Sequence, residues 1–208
     1  MAAHIYRTSD GNRIPSVTTI LGRFKESGAL IHWAWDLGMQ GKDYREVRDS
    51  AASSGTAAHK LVEDHIRHRQ VDMRDVSDEA KQAYQSFLRW AENSRLQATE
   101  TEVSLVSEQY RFGGTLDAML INDQLSLGDW KTSASVYPEY LLQLAAYGIL
   151  WEENRSQAIT GGYHLIKFGK IDLSFAHYYW HDLDDAKEAF ILMCKLYNLM
   201  NSIKGRVR

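Results

Sequence analysis

The 208-residue chain has a single cysteine, Cys194, and only two prolines. One cysteine excludes a disulfide framework, a cysteine-based zinc site and a four-cysteine iron–sulfur cluster supplied by this chain alone. Its position in a C-terminal helical stretch favours a small buried hydrophobe. Internal repeats and low-complexity linkers are also missing from the sequence, so nothing in it indicates disorder or a repeat architecture.

Long apolar runs and a strong charge of one sign are missing too. No stretch approaches the roughly 20 uninterrupted apolar residues of a membrane span, and the first residues, MAAHIYRTSDGNR, lack the apolar segment of a signal peptide. We therefore expect a cytoplasmic protein with no membrane partner. The 24 Lys and Arg residues against 27 Asp and Glu give a net charge of −3. Overall charge therefore does not indicate a nucleic-acid partner, and only local basic clusters could.

What the sequence does contain is enough apolar material, 44% of its residues, for one sizeable core. The order of helices, three strands, a helix, two strands and a helix predicts an α/β or α+β domain, with a central mixed β-sheet flanked by helices. We expect one domain over 1–208, with an N-terminal lead-in and helical region at 1–52 and the main core at 53–208. The predicted elements are a helix capped by Ser53, Ser54 or Thr56 and ending near Arg69, a helix over 77–95, a strand over 101–108, the hairpin 114–133, a helix beginning at Pro138, strands near 159–168 and 172–180, and a helix over 182–201.

The register of the hairpin GTLDAMLINDQLSLGDWKTS, at 114–133, follows from its apolar residues. A two-residue turn at Asn122 and Asp123 would place polar and apolar side chains on the same face. A three-residue loop over 122–124 instead aligns the apolar residues. The pairs that it predicts are Ile121 with Leu125 and Met119 with Leu127.

The same register brings Asp117 opposite Asp129, with Lys131 next along that face. Opposed side chains lie roughly 5 Å apart at Cβ, where two carboxylates repel unless positive charge lies between them. A divalent cation such as Mg²⁺ meets that need, because it takes oxygen ligands from carboxylates and backbone carbonyls. Such a cation activates water beside a phosphodiester, and Lys131 would orient that water or neutralise charge on the phosphate. An ordinary surface pair of aspartate and lysine is the alternative.

Asp117, the strand that follows and the triplet DWK at 129–131 resemble the motif of the PD-(D/E)XK nuclease superfamily. Two further stretches look like motifs of its RecB-type exonuclease branch: GTAAHKLVE at 55–63, with the pattern GxxxHxxxE, and QLAAY at 143–147, with the pattern QxxxY. PSVTTIL at 15–21 is similar to the leading segment of mitochondrial genome maintenance exonucleases and related phage nucleases. The resemblance covers about residues 15–151, in the order of the family.

This resemblance implies a restriction-endonuclease-like core, with 53–208 as the nuclease core, and a deoxyribonuclease that depends on Mg²⁺ or Mn²⁺. The first aspartate lies in GTLD rather than after a proline, which is a common variation in the superfamily. The cysteines of the iron–sulfur relatives are absent, so the chain resembles the branch without an iron–sulfur cluster. The implied metal ligands are His59, Asp117, Asp129 and the backbone carbonyl of Trp130.

The resemblance also gives roles to Glu63, Gln143 and Tyr147. His59 and Glu63 lie at i and i+4 on one helix face, which alone indicates a surface pair; the resemblance makes Glu63 a further candidate ligand. Gln143 and Tyr147 also share a helix face, and the resemblance implies that they support Lys131 and grip the DNA strand near the scissile phosphate. Glu102, on the preceding strand, is either another metal-shell carboxylate or a surface charge.

Exposed aromatic side chains could stack on unpaired bases. The candidates are Trp33, Trp35, Tyr44 and Trp130, although core packing is the favoured interpretation for Trp33 and Trp35. Trp130 should face away from Asp129 and is assigned to the core, because successive side chains of a strand point to opposite faces.

The sequence therefore predicts a metal-dependent exonuclease that hydrolyses phosphodiester bonds from free DNA ends, in a phage-like or bacterial recombination or repair setting. Single-stranded or duplex DNA ends are the expected partner, with a recombination protein or a second copy of the chain as further options. Two alternatives stay open. One is a nuclease-fold module that binds DNA or a protein partner without cutting, and the other is a structure-specific endonuclease with the same site.

Overall fold

The computed structural model describes residues 4–25 and 28–206. In chain order these residues form β1 (Tyr6–Arg7), β2 (Arg13–Ile14), α1 (Val17–Phe24), α2 (Gly28–Met39), α3 (Tyr44–Ile66), α4 (Asp78–Asn93), β3 (Gln97–Ser107), β4 (Phe112–Asn122), β5 (Gln124–Lys131), α5 (Pro138–Arg155), β6 (Tyr163–Phe168), β7 (Phe175–Trp180) and α6 (Asp184–Arg206). The predicted order of elements is confirmed. The two-residue strands β1 and β2 are additions that are too short to leave a periodic signal in the sequence.

The central sheet has five strands in the order β3-β4-β5-β6-β7. Neighbouring strands pair antiparallel except β5 and β6, which are parallel. A parallel pair needs a long crossover connection, and α5 lies in that connection. The protein therefore has the predicted mixed α/β fold, with a mixed sheet flanked by helices.

Apolar side chains form two clusters, one on each face of the sheet. Successive residues of β6 show this, because Leu165 belongs to one cluster and Ile166 to the other. Helices α1, α5 and α6 cover the first face, which we call the α5 side. Helices α3 and α4 cover the second face, which we call the α3 side.

The predicted register of the β4–β5 hairpin is confirmed. Ile121 pairs with Leu125 and Met119 pairs with Leu127. Asp123 alone separates the two strands and has a φ of +63°, the left-handed conformation that aspartate tolerates better than most residues. The alternation of apolar residues therefore outweighed the simpler two-residue turn.

Helix α3 begins earlier than the sequence pattern predicted. Its N-cap is Asp43, whose side chain accepts a hydrogen bond from the Arg45 backbone N–H. The predicted caps, Ser53, Ser54 and Thr56, lie inside this helix, and Ser54 is buried. The prediction of a helix start there is wrong because an earlier aspartate supplies the cap. The proposed boundary between 1–52 and 53–208 consequently falls within a continuous helix.

Helix α2 leaves apolar side chains uncovered. The buried residue of this helix is Leu37, and its main packing partner is α3. Trp33 is half-buried and lies edge-on to Tyr44, whereas Trp35 is 60% exposed. The core interpretation of Trp35 is therefore wrong, because the packing of α2 on α3 leaves this face of α2 uncovered.

The other element boundaries lie close to the predicted ones. Ser77 caps α4 by accepting from the Ala80 backbone N–H, and Pro138 occupies the first turn of α5. Cys194 is buried in the α5-side cluster, as predicted. Over the described residues, no helix combines the length and the apolarity needed to cross a membrane.

Two hydrogen-bonded histidines lie where α4 meets the sheet. His164 Nδ1 is 2.9 Å from His177 Nε2, and the Trp90 indole N–H donates to His177 Nδ1 at 3.4 Å. Because His177 Nδ1 accepts, we infer that its Nε2 carries the proton and donates to His164. Burial, and then the neighbouring His177, lowers the pKa of His164 to about 4. Both rings are therefore neutral at pH 7.

Acid should destabilise the protein through this pair. In the unfolded chain a histidine titrates near pH 6.5. The stabilisation from neutral His164 is therefore complete above that pH and is lost as the pH falls from about 6.5 toward 4. We expect the contribution of His164 to the free energy of unfolding to fall by about 1 to 3 kcal/mol over this window, measured by urea unfolding as the change in the difference between the wild type and His164→Asn. The wild type should lose this much stability relative to His164→Asn and none relative to His32→Asn, on exposed α2; parallel curves for all three proteins would contradict this.

Candidate active site

Strands β4 and β5 bring two aspartates together. Their ladder reaches the pair Ala118 and Gly128, so Asp117 and Asp129 follow opposite each other in the same register. The Trp130 backbone N–H donates to Asp117 Oδ2 at 2.8 Å and so links the strands beyond the last ladder pair. Asp117 is 8% exposed and Asp129 is fully buried.

Strand β4 changes face at Asp117. Leu116 packs in the α5-side cluster and Ala118 in the α3-side cluster, although alternate residues of a regular strand share one face. By the β3–β4 register, Glu102 lies opposite Asp117, and its φ of +53° is left-handed. Such a conformation costs a non-glycine residue about 1 to 3 kcal/mol and concentrates at functional sites. The irregularity therefore marks Glu102 and Asp117 as a candidate site.

Helix α3 carries His59 to these carboxylates. It packs closely on the segment after β5, since a Cβ added at Gly55 would lie 3.2 Å from Thr132 Oγ1. One turn later, His59 Nδ1 is 3.7 Å from Asp117 Oδ1. Burial, and then the charge of Lys131, lowers the pKa of His59 to about 4. The imidazole is therefore neutral at pH 7 and free to use a nitrogen lone pair.

His59, Glu102 and Asp117 form a cluster that fits a metal ion. One ligand atom of each residue lies within 4.8 Å of the ligand atoms of the other two. An imidazole nitrogen with two carboxylate oxygens suits divalent cations such as Mg²⁺, Mn²⁺ and Zn²⁺. Burial, and then the Asp117 charge, raises the pKa of Glu102 to about 7. A cation among these groups would relieve that repulsion.

Asp129 and Lys131 lie beside this cluster as an ion pair. The Lys131 ammonium contacts Asp129 Oδ2, and Asp129 Oδ1 is buried with no hydrogen-bond partner among the described residues. Burial raises the pKa of Asp129, while Lys131 acts against this. Burial also disfavours the charge of Lys131, but Asp129 and Asp117 together raise its pKa above the usual value. Lys131 is therefore a protonated cation beside a buried carboxyl group whose Oδ1 has no hydrogen-bond partner in the described part of the chain.

The QxxxY residues of α5 approach the same carboxylates. The Gln143 side-chain amide donates to Tyr147 Oη at 2.7 Å. Burial, and then the charges of Asp129 and Asp117, raises the pKa of Tyr147 well above its usual value. The phenol therefore keeps its proton and can donate a hydrogen bond toward the site.

The remaining predicted residues take different places. The Trp130 indole packs in the α3-side cluster, as predicted. A hydrogen bond between the Trp130 backbone and His59 acts to raise the pKa of the imidazole, against the larger effect of burial. Glu63 lies outside the three-residue cluster, because its carboxylate pairs with Arg67 and Arg69 at 3.3 and 3.4 Å.

Tyr140 is a neighbour of the site that the motifs do not contain. The Lys131 ammonium lies 5.0 Å from the centre of its ring, within the range of a cation–π contact. Tyr140 precedes Gln143 by three residues and so shares its helix face. This spacing from the QxxxY motif is the sequence feature that could have indicated Tyr140 as a neighbour of the site.

Comparison with known proteins supports the fold. No protein-family model matches the sequence, and no curated protein matches it. A solved structure from Eubacterium rectale, described as a "Putative exonuclease", is similar with a TM-score of 0.51 and 11% identity, over 69% of this chain and 64% of that one. An alkaline exonuclease, LHK-Exo, from Laribacter hongkongensis gives a TM-score of 0.43 and 14% identity, over 93% and 94% of the two chains.

The first of these likenesses shows a shared fold alone, since the identity is low. Its alignment spans less than two thirds of the Eubacterium rectale chain. What the geometry adds is a row of acidic groups across β3, β4 and β5, with a histidine and a lysine beside it. The chain therefore has a mixed α/β fold shared with the Eubacterium rectale structure, with a candidate metal centre in its sheet.

Proposed function

We propose that the protein is a metal-dependent nuclease that hydrolyses DNA from free ends, in the RecB-type branch of the PD-(D/E)XK superfamily. The observation that carries this proposal is the convergence of His59, Glu102 and Asp117 beside the buried pair of Asp129 and Lys131. We propose 1–208 as one nuclease domain with Mg²⁺ or Mn²⁺ as its cofactor. A role in phage-like or bacterial recombination or repair follows from the same resemblance.

His59, Glu102 and Asp117 would hold the cation, with the free Oδ1 of Asp129 and the Trp130 carbonyl as further oxygen donors. When bound, a divalent cation polarises a phosphoryl oxygen and lowers the pKa of a coordinated water. This set uses the oxygen and imidazole ligands that Mg²⁺ and Mn²⁺ accept. A cation there would relieve the repulsion between Glu102 and Asp117.

Lys131 would act on the phosphate itself. Its ammonium is held by Asp129 and keeps its proton, so it can neutralise charge that develops on a phosphoryl oxygen or orient the attacking water. Tyr147, held by Gln143, would donate its phenolic proton in a hydrogen bond to the same phosphate. These roles need no movement of the sheet, because Lys131 is already held by the buried Asp129 and Tyr147 by the half-buried Gln143.

Digestion of end-labelled linear DNA tests the proposal. Single-stranded and duplex substrates are incubated with Mg²⁺, Mn²⁺ or EDTA, for the wild type and for Asp117→Ala. We expect shortening from the ends with either metal, none in EDTA and none for the variant. Circular DNA should stay intact, since an exonuclease needs an end; cleaved circles would indicate an endonuclease. If the wild type cuts no substrate under any condition, the protein is a binding module.

A further inference from the structure

A track of aromatic rings and lysines leads from the candidate site to the surface. The Lys131 ammonium lies 5.0 Å from the Tyr140 ring centre, and the Tyr140 ring lies edge-on to Tyr137 at 5.6 Å. The Lys25 ammonium then lies 5.9 Å from the Tyr137 ring centre. We call Lys131, Tyr140, Tyr137 and Lys25 the Tyr137 track. It joins β5, the start of α5 and the residue that follows α1, which are far apart in the chain.

The outer half of this track contributes little to the core. Tyr137 is 44% exposed, and the Lys25 side chain is 55% exposed. Tyr140 is partly buried against the α5-side cluster and so gives Tyr137 a fixed neighbour. Glu139 lies 3.9 Å from the Lys25 ammonium and holds it near the ring. An aromatic ring is therefore presented to solvent beside a positioned cation.

Such a pairing is what proteins use to bind single strands. Bases stack on aromatic faces whatever their sequence, and nearby cations contact the sugar–phosphate backbone. A base inside a duplex is already stacked on its neighbours, so an exposed ring is available only to an unpaired base. The position matters as well, because a strand whose phosphate lies at Lys131 can reach Tyr137 with its adjoining nucleotides.

We propose that the Tyr137 track binds the unpaired nucleotides next to the scissile phosphate, with a base stacked on Tyr137 and a backbone phosphate near Lys25. This inference rests on the proposed function and deepens it, since it names single-stranded DNA as the form held beside the site. The neighbouring carboxylate of Glu139 weakens the attraction of Lys25 for phosphate, so stacking is the larger contribution.

Binding of oligothymidylate in EDTA tests the track without hydrolysis. The probes are a fluorescein-labelled 12-mer and two versions with abasic nucleotides at one end or the other, followed by fluorescence anisotropy. We expect Tyr137→Ala to weaken binding of the intact probe about 5- to 20-fold. Tyr137→Phe should bind within twofold of the wild type, because it keeps the ring. Tyr178→Ala, which removes a comparably exposed tyrosine from β7, should also bind like the wild type.

The abasic probes separate stacking from a change in the fold. For one of the two abasic probes, the affinity of the wild type should fall to the affinity that Tyr137→Ala has for the intact probe. The same abasic probe should bind Tyr137→Ala with no further loss of affinity. Lys25→Gln should reduce the slope of log affinity against log salt by about 1. The inference would be overturned if Tyr137→Ala bound the intact probe as tightly as the wild type does. It would also be overturned if the missing bases lowered the affinity of Tyr137→Ala as much as they lower that of the wild type.

Hydrolysis then distinguishes this inference from the proposed function. If the wild type degrades single strands, Tyr137→Ala should raise KM and change kcat less than about threefold, since Tyr137 binds substrate without touching the reacting atoms. Degradation with no effect of Tyr137 on KM or binding would overturn the track and leave the nuclease. If Tyr137→Ala and the missing bases weaken binding non-additively but the wild type hydrolyses no DNA, the proposed nuclease function is overturned. The Tyr137 track then remains as a binding site for single-stranded DNA.

Discussion

Lys131→Ala is expected to lower the rate of DNA hydrolysis by about 1,000-fold, while the protein stays folded and keeps most of its affinity for DNA. Lys131 is the cation beside both aspartates, and its loss would remove the charge that neutralises the phosphate. The measurement is kcat on end-labelled single-stranded DNA in saturating Mg²⁺, with circular dichroism and anisotropy binding on the same preparations.

Lys167 offers a matched control for this variant. It is the residue paired with Lys131 in the β5–β6 register, but its ammonium donates to the Ala134 carbonyl. Lys167→Ala should therefore keep kcat within about tenfold of the wild type, because no aspartate of the site depends on it. Equal losses in the two variants would indicate a general effect of charge and would remove Lys131 from the mechanism.

Asp117→Asn is expected to weaken Mn²⁺ binding at least about 100-fold and to abolish hydrolysis. Changes in groups that merely support a ligand cost 10- to 100-fold in metal affinity, and Asp117 is itself a member of the cluster, with Oδ1 3.7 Å from His59 Nδ1. The measurement is isothermal titration calorimetry with Mn²⁺ and no DNA, so that its outcome does not depend on catalysis. Mn²⁺ affinity equal to that of the wild type would place the metal elsewhere.

Glu102 and Glu63 provide an internal comparison for that titration. Glu102→Gln should weaken Mn²⁺ binding more than tenfold, because the Glu102 carboxylate belongs to the cluster. Glu63→Gln should leave Mn²⁺ affinity within about twofold, because its carboxylate is engaged by two arginines. The reverse order would favour the ligand set that the GxxxHxxxE motif suggested over the one that the geometry indicates.

The sheet and its hairpin could be predicted because their apolar residues admit one sensible register. Met119 and Leu127 had to share a face, and that requirement alone placed Asp117 opposite Asp129. His59 needed more, since a histidine and a glutamate one turn apart are ordinary on a helix surface. The motif resemblance singled out His59, and the structure shows the close approach of α3 at Gly55 that brings it to the aspartates.

Other features could not be read from local patterns. Glu102 is one of two acidic residues in β3, and its left-handed backbone, opposite Asp117, is a property of the folded sheet. The start of α3 was misplaced because Ser53 and Ser54 have cap-forming side chains that the longer helix leaves unused. The sequence favours core packing for Trp35, although what covers a helix depends on its neighbours and not on its own sequence.

The row of acidic groups across β3, β4 and β5 has a consequence for the thermal behaviour of the protein. Without a cation, folding must bring Glu102 and Asp117 together and bury Asp129 with an oxygen that has no hydrogen-bond partner among the described residues. An ion that binds the folded site and ignores the unfolded chain adds stability in proportion to the logarithm of its concentration. The melting temperature should therefore rise steadily with the concentration of Mg²⁺ or Mn²⁺. The heat resistance of the protein then depends on the available cation even when no nucleic acid is present.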